Sequence, residues 1–180
     1  MTDLELCWVD EPDVTSQEDA ALRALLAACF PDFDVFRTRR YYKQLPRQRV
    51  LAWEDGSLVG QVAIEHRVIG CEDGPAEIFG VIDLAVAAEQ RGRGIGGALL
   101  TRVEERACAR AIPFLLLFAD DARLYEACGF ACQRNPLRWM KVHEHRTLGI
   151  GEGRVDELMV KSLGARAWPA GPVDLLGYLF

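Results

Sequence analysis

The chain has 180 residues, half of them hydrophobic and 27% charged, a composition that suits one α/β domain with a substantial core. The net charge of −6 argues against a nucleic-acid-binding surface. The chain lacks both a signal-peptide pattern at its N-terminus and the long apolar run of a membrane span. We therefore expect a cytoplasmic protein with no nucleic-acid or membrane partner.

The first third of the chain predicts one strand and two helices. Residues 4–9 alternate as a strand does. Thr15 or Ser16 can cap a helix that ends before Pro31 and whose apolar residues recur at helical spacing. A second, shorter helix is predicted over residues 35–45, with its three arginines on a solvated face.

The middle of the chain predicts a hairpin and a central strand. Strands at 50–53 and 58–68 flank Asp55-Gly56, a strong signal for a tight turn. The central strand is expected at 77–86. A third helix follows at 95–111, and its inward face comprises Leu99, Leu100, Val103 and Ala107.

The last third predicts short elements around one buried strand. Residues 114–118 form a continuous apolar run, which is typical of a strand buried on both faces. A short helix holds Tyr125, with Asp120 or Asp121 as its cap and Gly129 just past its end. The remaining expectations are strands at 130–133, 137–142 and 157–161, a polar loop at 143–153, and an apolar tail at 164–180 that packs back on the body.

The stretch with the clearest chemistry is residues 81–100, which predict a strand, a glycine-rich turn and a helix. Orphaned amides at a helix start, together with the helix dipole, form a seat for an anion. A P-loop is excluded because Gly96 is followed by Gly97 and Ala98. The Rossmann fingerprint G-x-G-x-x-G is also absent, since Gly92, Gly94 and Gly96 are evenly spaced.

Two motifs carry a family resemblance. Residues 91–96, Arg-Gly-Arg-Gly-Ile-Gly, fit Q/R-x-x-G-x-G, and residues 122–130 fit A-x-x-Y-x-x-x-G-F. In this order and at this separation, they resemble the GCN5-related N-acetyltransferases. The resemblance implies an α/β (α+β) fold for residues 1–180 as a single domain, with a mixed, mostly antiparallel sheet of six to seven strands and about four helices.

The resemblance also implies a site. The expected cosubstrate is acetyl-CoA, transferred to a primary amine of a small molecule, and Tyr125 matches the family's general acid. In the family, the end of the central strand bonds the pantetheine arm and the loop bonds the diphosphate. The positions that match here are Leu84, Ala85, Val86, Arg91, Gly92, Arg93, Gly94, Ile95, Gly96 and Gly97.

The general base is less well defined by sequence. Asp83 on the central strand is the first candidate, since a buried carboxylate with a raised pKa can take a proton from an ammonium group. Glu65 and Glu77 lie on predicted neighbouring strands. The general base can also be a water molecule rather than a side chain.

Other patterns point to no further chemistry. Six cysteines without a paired spacing are expected as small core hydrophobes. His143-Glu144-His145 lacks a third ligand at a familiar spacing, so no metal is expected. The ends of the chain are similar to those of the nodulation protein A acyltransferases, and the layout is similar to that of the aminoglycoside 2'-N-acetyltransferases. The alternatives are a longer-chain N-acyltransferase and a CoA-binding regulatory module, and a homodimer is left open.

Overall fold

The computed structural model describes residues 4–180, which contain ten β-strands and three α-helices. The predicted α/β class with a mixed, mostly antiparallel sheet is confirmed. The predicted numbers of six to seven strands and four helices are not those observed. The chain divides into two compact units. Within the described residues, the first comprises residues 4–64 together with Ile82–Val103, and the second comprises Glu65–Val81 together with Glu104–Phe180.

The strands are β1 (Glu5–Asp10), β2 (Gln48–Glu54), β3 (Ser57–Cys71), β4 (Ala76–Val86), β5 (Phe114–Phe118), β6 (Ala131–Cys132), β7 (Leu137–His143), β8 (Arg146–Gly153), β9 (Leu158–Ser162) and β10 (Val173–Tyr178). The α-helices are α1 (Ser16–Cys29), α2 (Ile95–Ala109) and α3 (Arg123–Ala127), and short 3-10 helices occur at Glu11–Asp13, Asp34–Arg37 and Ala88–Gln90. No helix in this described part of the chain is long and apolar enough to cross a membrane.

Helix α1 begins as the sequence predicts. The Thr15 hydroxyl accepts the N–H of Glu18 at 3.2 Å, and the Glu18 carboxylate accepts the N–H of Thr15 at 2.8 Å. Such a capping box satisfies two orphaned donors, and its N-cap residue typically contributes about 1 kcal/mol. Leu22, Leu25 and Leu26 form the buried face of the helix.

The first unit contains an antiparallel arrangement of β1, β2 and the start of β3. Asp55 and Gly56, both at positive φ (49° and 73°), form the tight turn between β2 and β3, as predicted. Gly60 lies where a methyl group would come within 3.2 Å of the Ala85 carbonyl and 3.1 Å of Ile95. The absence of a side chain at Gly60 therefore lets β3 approach both β4 and the start of α2.

The predicted helix over 35–45 is wrong. Only Asp34–Arg37 forms a 3-10 turn, and the chain then bends until β2 begins. The Arg39 guanidinium donates to the carbonyls of Tyr41 and Tyr42 at 3.2 and 3.1 Å, so a side chain rather than a helical turn satisfies them. Arg40 pairs with Glu11 and Asp19, so this arginine does not lie on a solvated face.

The second unit contains most of the sheet. The strand order is β6, β9, β5, β4, β3, β10, β7, β8. Strand β5 is the buried apolar strand that the sequence predicts, and it pairs in parallel with β4 from Ile78–Phe114 to Gly80–Leu116. Beyond these pairs, β4 continues to Val86 in the first unit.

The predicted loop over 143–153 is also wrong, because β7 and β8 form an antiparallel hairpin there. The glycine at 151 lies opposite Trp139, and a side chain at this position would collide with the indole ring. Glycine here makes room for an aromatic ring within a strand. Strand β9 is not the last strand, since β10 in the tail pairs with both β3 and β7.

Candidate active site

The end of β4 carries an irregularity at Asp83. This residue has a φ of +49°, a conformation that a non-glycine side chain rarely adopts, whereas the flanking residues are extended strand. The chain resumes its strand through Leu84, Ala85 and Val86, and the N–H of Ala87 donates to the Val59 carbonyl at 2.9 Å. The predicted cofactor-binding strand thus follows directly after the predicted base.

The loop that follows leads into α2. Gly92 and Gly94 have φ values of +77° and +81°, and a side chain added at either would meet no protein atom within 4 Å. The first helical bond runs from the N–H of Ala98 to the Gly94 carbonyl, at 3.0 Å. The amides of Ile95, Gly96 and Gly97 therefore lie in the first turn, where no helical carbonyl is available to them. Open space and converging donors make this loop fit a diphosphate group.

The two arginines of the loop have different contacts. Arg91 donates from Nε to the Val86 carbonyl at 3.1 Å and lies 3.9 Å from the Cys29 sulfur. Arg93 forms two hydrogen bonds with the Glu54 carboxylate, at 2.8 and 2.7 Å, and also contacts Gln90. Glu54 is buried, and its bonds raise the pKa of Arg93. The charge of Arg93 is thus already matched by a carboxylate.

The Asp83 side chain is half-buried. Burial raises the pKa of this carboxyl group to about 6, while the positive charges of Arg49 and Lys43 act in the opposite direction. A carboxylate with this pKa is largely ionised at neutral pH and retains affinity for a proton. Asp83 therefore has the electrostatic properties of a general base.

A buried polar network beneath Asp83 was not predicted from the sequence. Arg49 and Gln61 are both fully buried, and Glu11 is 4% exposed. The Arg49 guanidinium donates to Glu11 at 2.7 Å and to the Gln61 side-chain oxygen at 3.0 Å. The Gln61 amide nitrogen in turn donates to the main-chain carbonyl of Asp83. An arginine within the apolar strand Gln48–Glu54 was the available signal, since a charged residue is buried only with a partner.

Tyr125 lies in the second unit, half-buried on the five-residue helix α3. Its ring meets that of Phe130 edge-on, with the centroids 5.9 Å apart. Gly129, at a φ of +86°, ends the helix as predicted. The predicted aspartate cap is wrong, because the N-cap residue is Ala122. Asp121 instead accepts the N–H and the side chain of Arg123, and these bonds lower the pKa of Asp121 to about 2.

The two other carboxylates considered as bases have partners in the second unit. Glu65 accepts the Tyr178 hydroxyl at 2.7 Å and Arg67 at 3.3 Å. Glu77 lies 2.9 Å from the ring of His66 at the surface. These contacts give both glutamates a structural role within the sheet.

The cysteines and the histidine pair were the remaining sequence candidates. Of these, Cys29 contacts the loop, since its thiol donates to the Val86 carbonyl at 3.4 Å and lies 3.9 Å from Arg91. None of the six cysteines forms a disulfide. Cys29 and Cys71 are partly buried and pack against the core, whereas Cys108 and Cys132 are exposed, so the expectation of core residues holds only in part. Within residues 4–180, no group of three or more histidine, cysteine or acidic residues is placed to hold a metal ion.

Comparison with known proteins agrees with this geometry. The model of the acetyltransferase (GNAT) domain matches residues 13–132, which is more than half of the chain. The chain therefore belongs to the GCN5-related N-acetyltransferase family. This identification confirms the resemblance found in the sequence, although the nodulation protein A and aminoglycoside branches find no support.

Solved structures share the fold at low sequence identity. The Escherichia coli GNAT family N-acetyltransferase YhbS, solved in complex with CoA, is 17% identical, with a TM-score of 0.61 over 97% of this chain and 89% of that one. Escherichia coli ElaA is 19% identical, with a TM-score of 0.57 over 88% and 99% of the two chains. A GCN5-related N-acetyltransferase from Kribbella flavida is also 19% identical, with a TM-score of 0.56 over 73% of this chain.

The lengths of these relatives differ. The chain covers only 33% of the Kribbella flavida protein, so it spans about a third of that relative's length. No curated protein sequence matches the chain.

Proposed function

We propose that the protein is an acetyl-CoA-dependent N-acetyltransferase that acts on a primary amine of a small molecule. One observation carries the proposal: an open loop with Gly92 and Gly94 at positive φ precedes the unpaired first-turn amides of α2. Backbone donors at a helix start recognise a diphosphate without need of a metal. Family membership makes acetyl-CoA the expected bearer of that diphosphate.

The proposed roles divide between backbone and side chains. The amides of Ile95, Gly96 and Gly97 bind the diphosphate, and Arg91 adds positive charge beside it. The main-chain groups of Leu84, Ala85 and Val86 bond the pantetheine arm. These interactions hold the thioester in place, so the reaction with the amine gains from proximity.

Asp83 and Tyr125 carry out the proton transfers of the reaction. Asp83 accepts a proton from the ammonium group of the substrate, directly or through water, and the neutral amine then attacks. The pKa of Asp83, about 6, leaves this carboxyl group mostly ionised at neutral pH. The new bond joins the amine nitrogen to the acetyl carbonyl carbon, and the bond from that carbon to sulfur breaks. Tyr125 donates its phenolic proton to the departing thiolate, in the role that its family motif implies. The nitrogen loses a second proton to solvent as the amide forms, and Tyr125 is reprotonated from solvent.

Amino sugars and aminoglycosides are the first acceptor classes to test, together with simple polyamines. The assay measures thiol release from acetyl-CoA with a disulfide reagent across an amine panel. Turnover with any amine supports the proposal. Binding of acetyl-CoA without turnover on any amine indicates a non-catalytic CoA-binding module, and faster turnover with octanoyl-CoA than with acetyl-CoA indicates a longer-chain acyltransferase.

A further inference from the structure

The main chain at Asp83 is held in a costly conformation. A non-glycine residue at a φ of +49° persists only where its surroundings enforce it, and the neighbours on either side are ordinary strand. The conformation rotates the Asp83 peptide group relative to the strand and so changes where its carbonyl points. That carbonyl is bonded by the side chain of Gln61.

Both ends of the Gln61 amide are occupied. Its nitrogen donates to the Asp83 carbonyl, and its oxygen accepts Arg49 at 3.0 Å. Gln61 is fully buried, so no water competes for either group. An amide fixed in this way cannot rotate without leaving two buried polar groups unsatisfied.

Arg49 is fixed in turn from several directions. Its guanidinium bonds the two oxygens of Glu11 at 2.7 and 3.4 Å and the main-chain carbonyl of Arg40 at 2.8 Å. Glu11 also accepts Arg40 at 2.7 Å, and Arg40 reaches Asp19 on α1 at 2.8 Å. The network therefore connects α1, β2 and β3 to a single carbonyl on β4.

A buried ion pair of this kind is weak evidence for stability, because removing two charges from water costs nearly as much as their attraction returns. In some proteins, buried polar groups of this kind instead select one conformation. Here the network ends at the residue that the proposed function assigns as the base.

We propose that Gln61 is a positioning residue for the acetyl transfer. Held by Arg49, its amide keeps Asp83 at positive φ and so sets the direction of the Asp83 carboxyl group. This inference rests on the proposed function only in that Asp83 acts as the base. The claim about backbone conformation stands separately.

Two substitutions at Gln61 test the idea. Gln61→Met removes the amide while keeping the length of the side chain. Gln61→Glu keeps an acceptor for Arg49 but, when ionised, has no donor for the Asp83 carbonyl. The control is Gln48→Met, the same change at a half-buried glutamine on β2 whose amide bonds Asp10.

We expect either Gln61 variant to lower kcat about tenfold while the KM for acetyl-CoA stays within about twofold, since only the proton acceptor is displaced. In a crystal structure of the variant, φ of Asp83 should move to negative values. Gln48→Met should change neither quantity. If kcat is retained, or if φ of Asp83 stays positive, the positioning role of Gln61 is refuted.

Asp83→Asn separates this proposal from the proposed function. If Asp83→Asn keeps full activity, the base assignment fails, and φ of Asp83 in Gln61→Met alone then decides whether Gln61 holds the backbone. If Asp83→Asn loses activity and adding Gln61→Met lowers it no further, the two residues act through one another. Additive losses would contradict the proposal.

Discussion

The carboxylate of Glu54, buried at the end of β2, accepts two hydrogen bonds from the guanidinium of Arg93, at 2.7 and 2.8 Å. Arg93 lies between the two glycines of the proposed diphosphate loop, both of which adopt positive φ. The pair therefore fixes the middle of a loop whose backbone is otherwise permissive. We therefore expect Arg93 to stabilise the conformation of the loop rather than to bind phosphate directly.

Glu54→Gln should therefore weaken CoA binding about tenfold, the loss expected for a charge-assisted hydrogen bond. Arg93→Gln should weaken binding by a similar factor, and the double variant should be no worse than either single one. Isothermal titration with CoA measures these affinities. Glu89→Gln, at an exposed residue of the 3-10 turn before the loop, controls for the change in charge. Tighter binding by Glu54→Gln than by this control would show that Arg93 binds phosphate itself.

Gly94→Glu should abolish CoA binding, because it places bulk and a negative charge where the diphosphate is proposed to lie. The measurement is again titration with CoA, with circular dichroism to check folding. Gly56→Glu is a matched control, since Gly56 also has a positive φ in open space, on the β2–β3 turn. Equal loss of binding in both variants would indicate backbone strain rather than a blocked site.

Tyr125→Phe should lower kcat at least about tenfold, the low end for proton-transfer catalysis. The affinity for acetyl-CoA should change little, because the ring and its contact with Phe130 are retained. Thiol-release kinetics measure the effect, with Tyr41→Phe in the first unit as the control. An unchanged rate would remove Tyr125 from the role of acid.

The pH dependence of kcat/KM should show the titration of the Asp83 carboxyl group. Because the pKa of this group is raised to about 6, its basic form appears as the pH rises through 6, and the rate should rise with it. The Asp83→Asn variant should lack this rise in kcat/KM. If the rise persists in Asp83→Asn, it reports the titration of another group.

Stability should show the opposite trend with pH. The folded protein holds the Asp83 proton more tightly than the unfolded chain, in which the pKa is near 3.8. The contribution of Asp83 to stability is therefore fully present below about pH 4 and is lost as the pH rises through about 6. Urea melts of the wild type and Asp83→Asn across this range measure the difference, and parallel curves would contradict the raised pKa.

Features with a strong local signal were predictable from the sequence. Three features depend on neighbouring residues and lie where predicted: the cap of α1, for which Thr15 was one of the two candidates, the turn at Asp55-Gly56 and the glycine loop before α2. The 35–45 segment failed because helix propensity is a weak prior that tertiary contacts override. Here the Arg39 side chain binds the carbonyls that a helix would use.

The network beneath Asp83 shows the other limit of sequence reasoning. Glu11, Arg49 and Gln61 are separated along the chain, and only the pairing of β2 with β3 puts Arg49 and Gln61 on one face. The positive φ of Asp83 has only a weak residue-type signal, since aspartate adopts this conformation more often than most residues but far less often than glycine. Long-range packing, which a single sequence does not reveal, determines both features.

The position of β10 has a consequence for how the protein is made. This strand inserts between β3 and β7, yet residues 173–178 leave the ribosome about a hundred residues after β3. Until then, β7 and the end of β3 at Gly70 and Cys71 lack the partner that β10 provides. Unpaired strand edges are the surface that other chains recognise during aggregation. The nascent chain thus depends on a strand made long after β3 to cover these edges, and slowed synthesis near residue 170 should prolong their exposure to chaperones.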